Sequence, residues 1–98
     1  MLTHLVLITV SPDATEAQVE RMIAGLRALP AQIDAIGTYE VGRDMGLAEG
    51  NATVAIQATF ATPEDLQTYV DHPAHQAVVV DLIRPIAASA SRAQVPRA

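Results

Sequence analysis

The run Leu2-Thr3-His4-Leu5-Val6-Leu7-Ile8-Thr9-Val10 decides the fold of this chain. In a β-strand, successive side chains point to opposite faces of the sheet. A strand here would place His4, Val6, Ile8 and Val10 on one face and Thr3, Leu5, Leu7 and Thr9 on the other. Both sets are mostly apolar, which predicts a strand covered on both faces. In a chain of 98 residues helices can cover one face, and we expect a second copy of the chain to cover the other.

Composition limits the domain count and the function. The 98 residues suffice for one domain, 1–98, with a single core. The net charge of −5 argues against nucleic acid as a partner, because binding phosphates needs basic patches. The chain has no cysteine, which excludes disulfides and thiolate sites and favours a cytoplasmic location. The first apolar run ends after about ten residues, too few to cross a membrane or to form a signal peptide.

The rest of the chain alternates helix and strand signals. Capping-box spacing at Asp13/Glu16 or Thr15/Gln18 predicts a helix start, and Pro30 ends that helix. Its buried stripe would be Val19, Met22, Ile23, Leu26 and Leu29. Strands are predicted over 38–43 and 52–60, joined by a glycine-containing loop over 42–50, with a short fourth strand over 91–95 and a loose tail over 96–98.

Two further helices are predicted between the third and fourth strands. Thr62-Pro63 is a strong helix start, and His72-Pro73 ends that helix because a residue before proline disfavours helical geometry. A second helix opens at Pro73 and runs through Ile86, with a kink or an end at Arg84-Pro85. The order β-α-β-β-α-α-β predicts an α+β, ferredoxin-like split βαβ fold with a four-stranded antiparallel sheet. Two such sheets packed face to face would give a homodimeric α/β barrel.

Chemistry concentrates in Tyr69-Val70-Asp71-His72-Pro73-Ala74-His75-Gln76, which holds two of the three histidines and one of the two tyrosines. His75 falls at about the third residue of a helix, where the helix dipole disfavours a positive charge and keeps the imidazole neutral, as a general base requires. The alternative is that His75 only packs at the helix junction. His72 sits in a cap position and is interpreted mainly as shaping that junction. His4 and Tyr69 are either pocket groups or hydrogen-bonded core residues.

Several segments together resemble the stress-responsive dimeric α/β-barrel (Dabb) domain family. They are His4-Leu-Val-Leu, Glu40-Val-Gly, Ala58-Thr-Phe and Leu66-Gln-Thr-Tyr-Val-Asp-His-Pro-Ala-His-Gln. The resemblance covers nearly the whole chain and implies a ferredoxin-like protomer in a barrel dimer. The family includes plant stress-induced proteins and the plant polyketide cyclase that makes olivetolic acid. The resemblance to that cyclase implies that His75, Tyr69 and His4 are the catalytic or substrate-orienting groups.

This chain departs from the plant cyclase at several pocket positions. The cyclase has a further pocket histidine early in its third strand, where this chain has only small or aliphatic residues around Val54. Its pocket aromatics fall here on Ile23, Leu26 and Ile86. These four positions, with His72, are the predicted substrate-binding residues, but the pocket must differ and the cyclase's substrate is not implied.

Two functions of different class therefore stay open. One is a cofactor-free enzyme in which His75 abstracts a proton next to the carbonyl of a small hydrophobic ligand, as in polyketide cyclisation, isomerisation or lysis. The other is a non-enzymatic dimeric stress or small-hydrophobic-ligand-binding protein. No cofactor motif is present, and no phosphate-binding pattern occurs in the loop over 42–50. A metal site of His72 and His75 with His4 or Asp71 is disfavoured, because zinc wants three or four ligands and only a short pair is visible.

Overall fold

Four strands form one antiparallel sheet in the computed structural model, which describes residues 1–97. β1 spans Leu2–Val10, β2 Tyr39–Arg43, β3 Val54–Phe60 and β4 Ala87–Pro96. Their order across the sheet is β2-β3-β1-β4, and every neighbouring pair is antiparallel. The first strand therefore lies inside the sheet, between β3 and β4. This is the ferredoxin-like α+β fold expected from the sequence.

The helices cover one face of this sheet. They are α1 (Glu16–Arg27), α2 (Pro63–Asp71) and α3 (Pro73–Val78), with a 3₁₀ turn at Leu29–Ala31 and a π-helical turn at Val79–Ile83. None of the helices within residues 1–97 has both the length and the apolar character that a membrane crossing requires.

Helix α1 begins at the second of its two predicted starts. The Thr15 hydroxyl accepts a hydrogen bond from the Gln18 N–H, and the Gln18 side chain accepts one from the Thr15 N–H at 2.8 Å. This reciprocal pair satisfies two N–H groups that the first helical turn leaves without partners. The helix ends at Arg27, and Pro30 lies in the 3₁₀ turn that follows.

The core lies between α1 and the covered face of the sheet. The predicted helical stripe is buried throughout, and Leu29 is fully inaccessible. On the sheet side the buried residues alternate along the strands, as a half-covered sheet requires. The core residues from the strands are Ile8, Val41, Val54, Ile56, Ala58 and Phe60.

The C-terminal third differs from the expectation. β4 begins at Ala87 rather than at residue 91 and pairs with β1 along its length, with a bulge at Thr9/Val10. The preceding helical segment ends at Ile83, where the Arg84 N–H bonds to the Val79 carbonyl in a π-type turn. Of the predicted loose tail, Pro96 belongs to β4, the Arg97 N–H donates to the Met1 carbonyl at 3.0 Å, and Ala98 lies outside the described residues.

The second face of the sheet is left open by the chain's own helices. Leu5 and Leu7 on β1 are 36% and 50% exposed there, and Val95 on β4 is 43% exposed. Leu7 pairs with Ala55 and Ser91, and Leu5 pairs with Ala93 and Gln57, so the neighbours of the two leucines are small side chains and one glutamine. This is the face of the sheet that we expected a second copy of the chain to cover.

Candidate active site

A cleft of about 580 Å³ opens between the covered face of β1 and β4 and the layer formed by α2, α3 and the π-helical turn. Its walls are mainly aliphatic, and a few polar side chains converge on them, which is the usual make-up of a small-molecule site. The apolar lining is Val6, Ile8, Leu26, Ile56, Val70, Val79, Ile83, Ala87, Ala88 and Ala90. The polar lining is His4, Tyr69, His75, Gln76, Arg84, Ser89 and Arg92.

The junction between α2 and α3 forms one side of this cleft. His72 has an extended backbone (φ −64°, ψ 136°), which ends α2, and its Nδ1 accepts the Ala74 N–H at 3.0 Å. The imidazole thus caps α3 in the way that a serine or aspartate side chain usually caps a helix from the N-cap position. Pro73 follows at the first helical position, where its missing N–H costs nothing. His72 therefore shapes the junction, as its position predicted.

His75 is held by the end of the preceding helix. Its Nδ1 lies 3.0 Å from the carbonyl oxygen of Val70, which also accepts from the Gln76 side-chain amide at 2.8 Å. The Val70 carbonyl is near the C-terminus of α2, where carbonyls lack helical partners. A carbonyl can only accept, so Nδ1 of His75 carries the proton and Nε2 of the neutral ring keeps its lone pair. Burial lowers the pKa of His75 from its usual 6.5, opposed in part by the Val70 hydrogen bond.

In His4 the proton lies on the other ring nitrogen from the one that carries it in His75. It faces Gln94 directly across the β1–β4 pair, and the Gln94 Nε2 amide lies 2.9 Å from Nδ1 of His4. An amide NH₂ can only donate, so Nδ1 of His4 accepts and Nε2 of the neutral ring carries the proton. Burial is the main cause that lowers the pKa of His4 below 6.5, followed by electrostatic interaction with His75 and Arg92.

Tyr69 lies between the two histidines. Its ring centroid is 4.4 Å from that of His75 and 6.2 Å from that of His4. Its hydroxyl is 2.8 Å from the Tyr39 hydroxyl on β2. Burial raises the pKa of Tyr69 above 10.0, and burial together with the neighbouring Tyr69 raises that of Tyr39 more strongly. Both phenols are therefore protonated hydrogen-bonding groups at neutral pH.

The free nitrogens of the two histidines face open space. No buried side-chain nitrogen or oxygen among residues 1–97 lacks a hydrogen-bond partner. Nε2 of His4 and Nε2 of His75 make no hydrogen bond within the same residues, so neither atom is sealed in the core. Both residues line the cleft. The cleft therefore contains one imidazole nitrogen that accepts a proton and one that donates.

The predicted site residues divide into two groups. His4, Tyr69, His75 and Leu26 line the cleft together. The other four lie outside this lining: Ile23, Val54 and Ile86 are buried at 4%, 1% and 4% exposure, and His72 caps α3.

Sequence reasoning missed several residues of the site, among them four with polar or charged side chains that bear on its chemistry. Gln94 sets the protonation of His4, Tyr39 binds the Tyr69 hydroxyl, and Arg84 and Arg92 line the cleft. Tyr39 and Gln94 lie 30 and 90 residues from their partners, so no local pattern marks them. The available signal was the two-residue alternation of a β-strand. It places Arg92 and Gln94 on the same face of β4. No group of three histidine, cysteine, aspartate or glutamate side chains in residues 1–97 is arranged to hold a metal ion.

An antiparallel sheet in the order β2-β3-β1-β4, with helices on one face and a histidine-lined cleft between the layers, defines a ferredoxin-like α+β protein. The chain belongs to the stress responsive A/B barrel domain (Dabb) family, whose sequence profile matches residues 2–94. The resemblance found in the sequence is thereby confirmed. No curated protein matches the sequence.

Solved structures give the same fold. A dimeric ferredoxin-like protein of unknown function from Thermobifida fusca is 33% identical and has a TM-score of 0.90, with 98% of this chain and 90% of that chain covered. A dimeric protein of ferredoxin-like fold from Bacteroides fragilis is 24% identical, with a TM-score of 0.87 and coverage of 98% and 95%. A hydroxynitrile lyase from Passiflora edulis is 16% identical, with a TM-score of 0.83 and coverage of 96% and 90%.

Proposed function

We propose that this chain is a small cofactor-independent enzyme that abstracts a proton next to a carbonyl group in an apolar ligand. One observation carries the proposal: the buried His4 and the half-buried His75, whose hydrogen-bond partners favour opposite ring tautomers, line the same cleft. A base alone leaves the developing enolate unstabilised, and a donor alone removes no proton. The two together can supply both halves of an enolisation.

The proposed step begins with His75. Its Nε2 takes a proton from the carbon beside the carbonyl. The C–H bond breaks, and the electron pair of that bond moves into the enolate. The Val70 carbonyl holds Nδ1–H and so favours the imidazolium that forms. The enolate then attacks a second carbonyl, is reprotonated elsewhere, or expels a leaving group, which correspond to cyclisation, isomerisation and lysis. In each case the proton on Nε2 returns to the product.

His4 and Tyr69 take the enolate oxygen in this proposal. Nε2–H of the neutral His4 ring donates one hydrogen bond to the enolate oxygen, and the Tyr69 hydroxyl donates a second. A hydroxyl has one proton and two lone pairs, so Tyr69 keeps its own O–H for the ligand when Tyr39 donates to it. Donors that are already fixed before the reaction need no reorganisation when charge develops. Leu26 and the aliphatic wall would hold the carbon skeleton and exclude water.

The active unit is proposed to be a homodimer formed through the open face of the sheet, in the cytoplasm. The Thermobifida fusca protein is described as dimeric, and the Passiflora edulis protein with this fold is a lyase, which keeps lysis among the three reaction classes. The exposed Leu5 and Leu7 of β1 support the same choice of face. The non-enzymatic ligand-binding protein is the alternative that the experiment must separate.

The test is exchange of carbon-bound hydrogen for deuterium in D₂O, followed by proton NMR. Medium-chain methyl ketones such as 2-octanone, and the corresponding β-diketones, are the probes. The wild-type protein should accelerate exchange at the carbons beside the carbonyl, and His75→Ala should lower that rate by about 10²-fold or more. The rate should rise with pH to a plateau with a midpoint below 6.5, because burial lowers the pKa of His75.

His72→Ala is the matched control, since it removes a neighbouring imidazole that is not part of the cleft lining. It should leave the exchange rate nearly unchanged. Equal, small effects of His75→Ala and His72→Ala, with probe binding retained, would favour the ligand-binding alternative.

A further inference from the structure

Two of the six arginines line the cleft, although the chain as a whole is acidic. The sequence carries 11 acidic residues against 6 basic ones. The lining nevertheless contains Arg84 and Arg92 and, within residues 1–97, no aspartate or glutamate. The local charge of this cleft is therefore opposite in sign to the net charge of the protein.

Unlike Arg27 and Arg43, these two arginines have no side-chain partner among residues 1–97, a feature that they share with Arg21 outside the cleft. Arg43 forms a two-pronged ion pair with Glu16 at 2.7 and 2.9 Å, and Arg27 donates twice to the Val41 carbonyl at 2.8 and 3.2 Å. Neither Arg84 nor Arg92 makes a side-chain hydrogen bond or salt bridge within the described part of the chain. Their guanidinium groups are therefore free to bind a ligand.

The two arginines come from opposite walls. Arg92 pairs with Val6 across β1 and β4, one step along the same face from the His4–Gln94 pair. Two residues of a strand span about 7 Å, so the backbone of Arg92 lies about that far along the sheet from His4. Arg84 directly follows the π-helical turn on the helical wall. The positive charge of Arg92 already acts within the cleft, since it contributes to lowering the pKa of His4.

We propose that the ligand of this cleft is a small apolar carboxylic acid, bound as its anion by Arg92 and Arg84 while its carbon skeleton lies on the aliphatic wall. This rests on the proposed function, because it assigns the substrate class of the same site. A planar guanidinium matches a carboxylate through two parallel hydrogen bonds. The acid would place its reactive carbonyl at His75 and His4 and its carboxylate toward Arg92.

The test compares octanoate with octanamide, which has the same chain and a neutral end group, by isothermal titration calorimetry at low salt. Octanoate should bind about tenfold or more tightly than octanamide, the scale of one charged hydrogen-bonded pair. Arg92→Gln should remove most of this preference and Arg84→Gln a part of it, with the affinity for octanamide unchanged. The constant octanamide affinity shows that each variant keeps its fold.

Arg21→Gln is the matched control, because Arg21 is an exposed arginine on α1 outside the lining of the cleft. It should keep the full preference for octanoate. An equal loss in Arg21→Gln and Arg92→Gln would mean that only the net charge matters, and the proposal would be overturned. Tighter binding of octyl phosphate than of octanoate would overturn the assignment to carboxylates.

The outcomes also separate this inference from the proposed enzyme. Equal affinity for octanoate and octanamide would overturn the carboxylate assignment and leave the apolar cleft and its histidines standing. Binding of neither compound, together with no deuterium exchange in methyl ketones, would overturn both.

Discussion

The hydroxyl oxygens of Tyr39 and Tyr69 lie 2.8 Å apart and join β2 to α2 through one hydrogen bond. Tyr69 is only 2% exposed, so its oxygen has little access to bulk water. The bond fixes the hydroxyl that the proposed reaction uses and stabilises the contact between the two layers. Its energetic role can be separated from its catalytic one.

Tyr39→Phe should destabilise the protein more than the double substitution Tyr39→Phe/Tyr69→Phe. The single change leaves a buried hydroxyl without a partner, which costs about 1–3 kcal/mol, whereas removing both hydroxyls leaves none. Urea denaturation of the two variants measures the difference. A single variant as stable as wild type would show that water from the cleft replaces the lost partner.

Acidification should destabilise the protein between about pH 7 and 5. Burial lowers the folded-state pKa of both His4 and His75 below the 6.5 of an exposed histidine. The unfolded chain then binds more protons than the folded one, so the free energy of unfolding falls as the pH drops through this window. Chemical denaturation across the range measures the slope, with the double variant His4→Gln/His75→Gln as control. An identical slope in that variant would contradict the assignment to these histidines.

His72→Ala should lower the free energy of unfolding by about 1 kcal/mol, because it removes the acceptor of the Ala74 N–H at the start of α3. His72→Asn should recover most of the loss, since an asparagine oxygen accepts the same bond. Urea denaturation compares the three proteins. Equal stability of the alanine and asparagine variants would show that the ring matters by packing and not by capping.

Leu7→Glu should convert the proposed dimer to a monomer, because it places a charge in the apolar open face of β1. Sedimentation of the wild type at micromolar concentration should give about twice the chain mass of 10.4 kDa. Val80→Glu is the matched control, since Val80 is 49% exposed against 50% for Leu7 and lies on the helical side. A wild-type monomer, or dissociation by both variants, would contradict a dimer through the sheet.

Local chemistry predicted the first strand and the helix starts well. β1 has the predicted bounds, and Thr15 and Thr62 cap their helices through the bonds their spacing implied. The start of β4 was missed because Ala87 and the following small residues carry no hydrophobic alternation. Pairing with β1 across the Thr9/Val10 bulge defines that segment, and this is a long-range contact.

In the site, too, local signals could be interpreted from the sequence and long-range contacts could not. The Tyr69–Gln76 stretch pointed to His75 through residue type, position and the resemblance to the family. The protonation of His4 depends on Gln94, which reaches it only once β4 lies beside β1. The charge of the cleft likewise depends on Arg84 and Arg92, whose placement follows from the turn after α3 and from the register of β4.

One wall of the cleft consists of Ala87, Ala88, Ser89 and Ala90, on an edge strand that contributes no residue to the buried core. The side chains of Ala88 and Ala90 are exposed, so a change in their size opens no void in the core and should cost little stability. Each added methylene would instead shorten or narrow the space for a ligand. Substitutions on this strand would therefore change the size of ligand that the cleft accepts, while the two histidines stay in place.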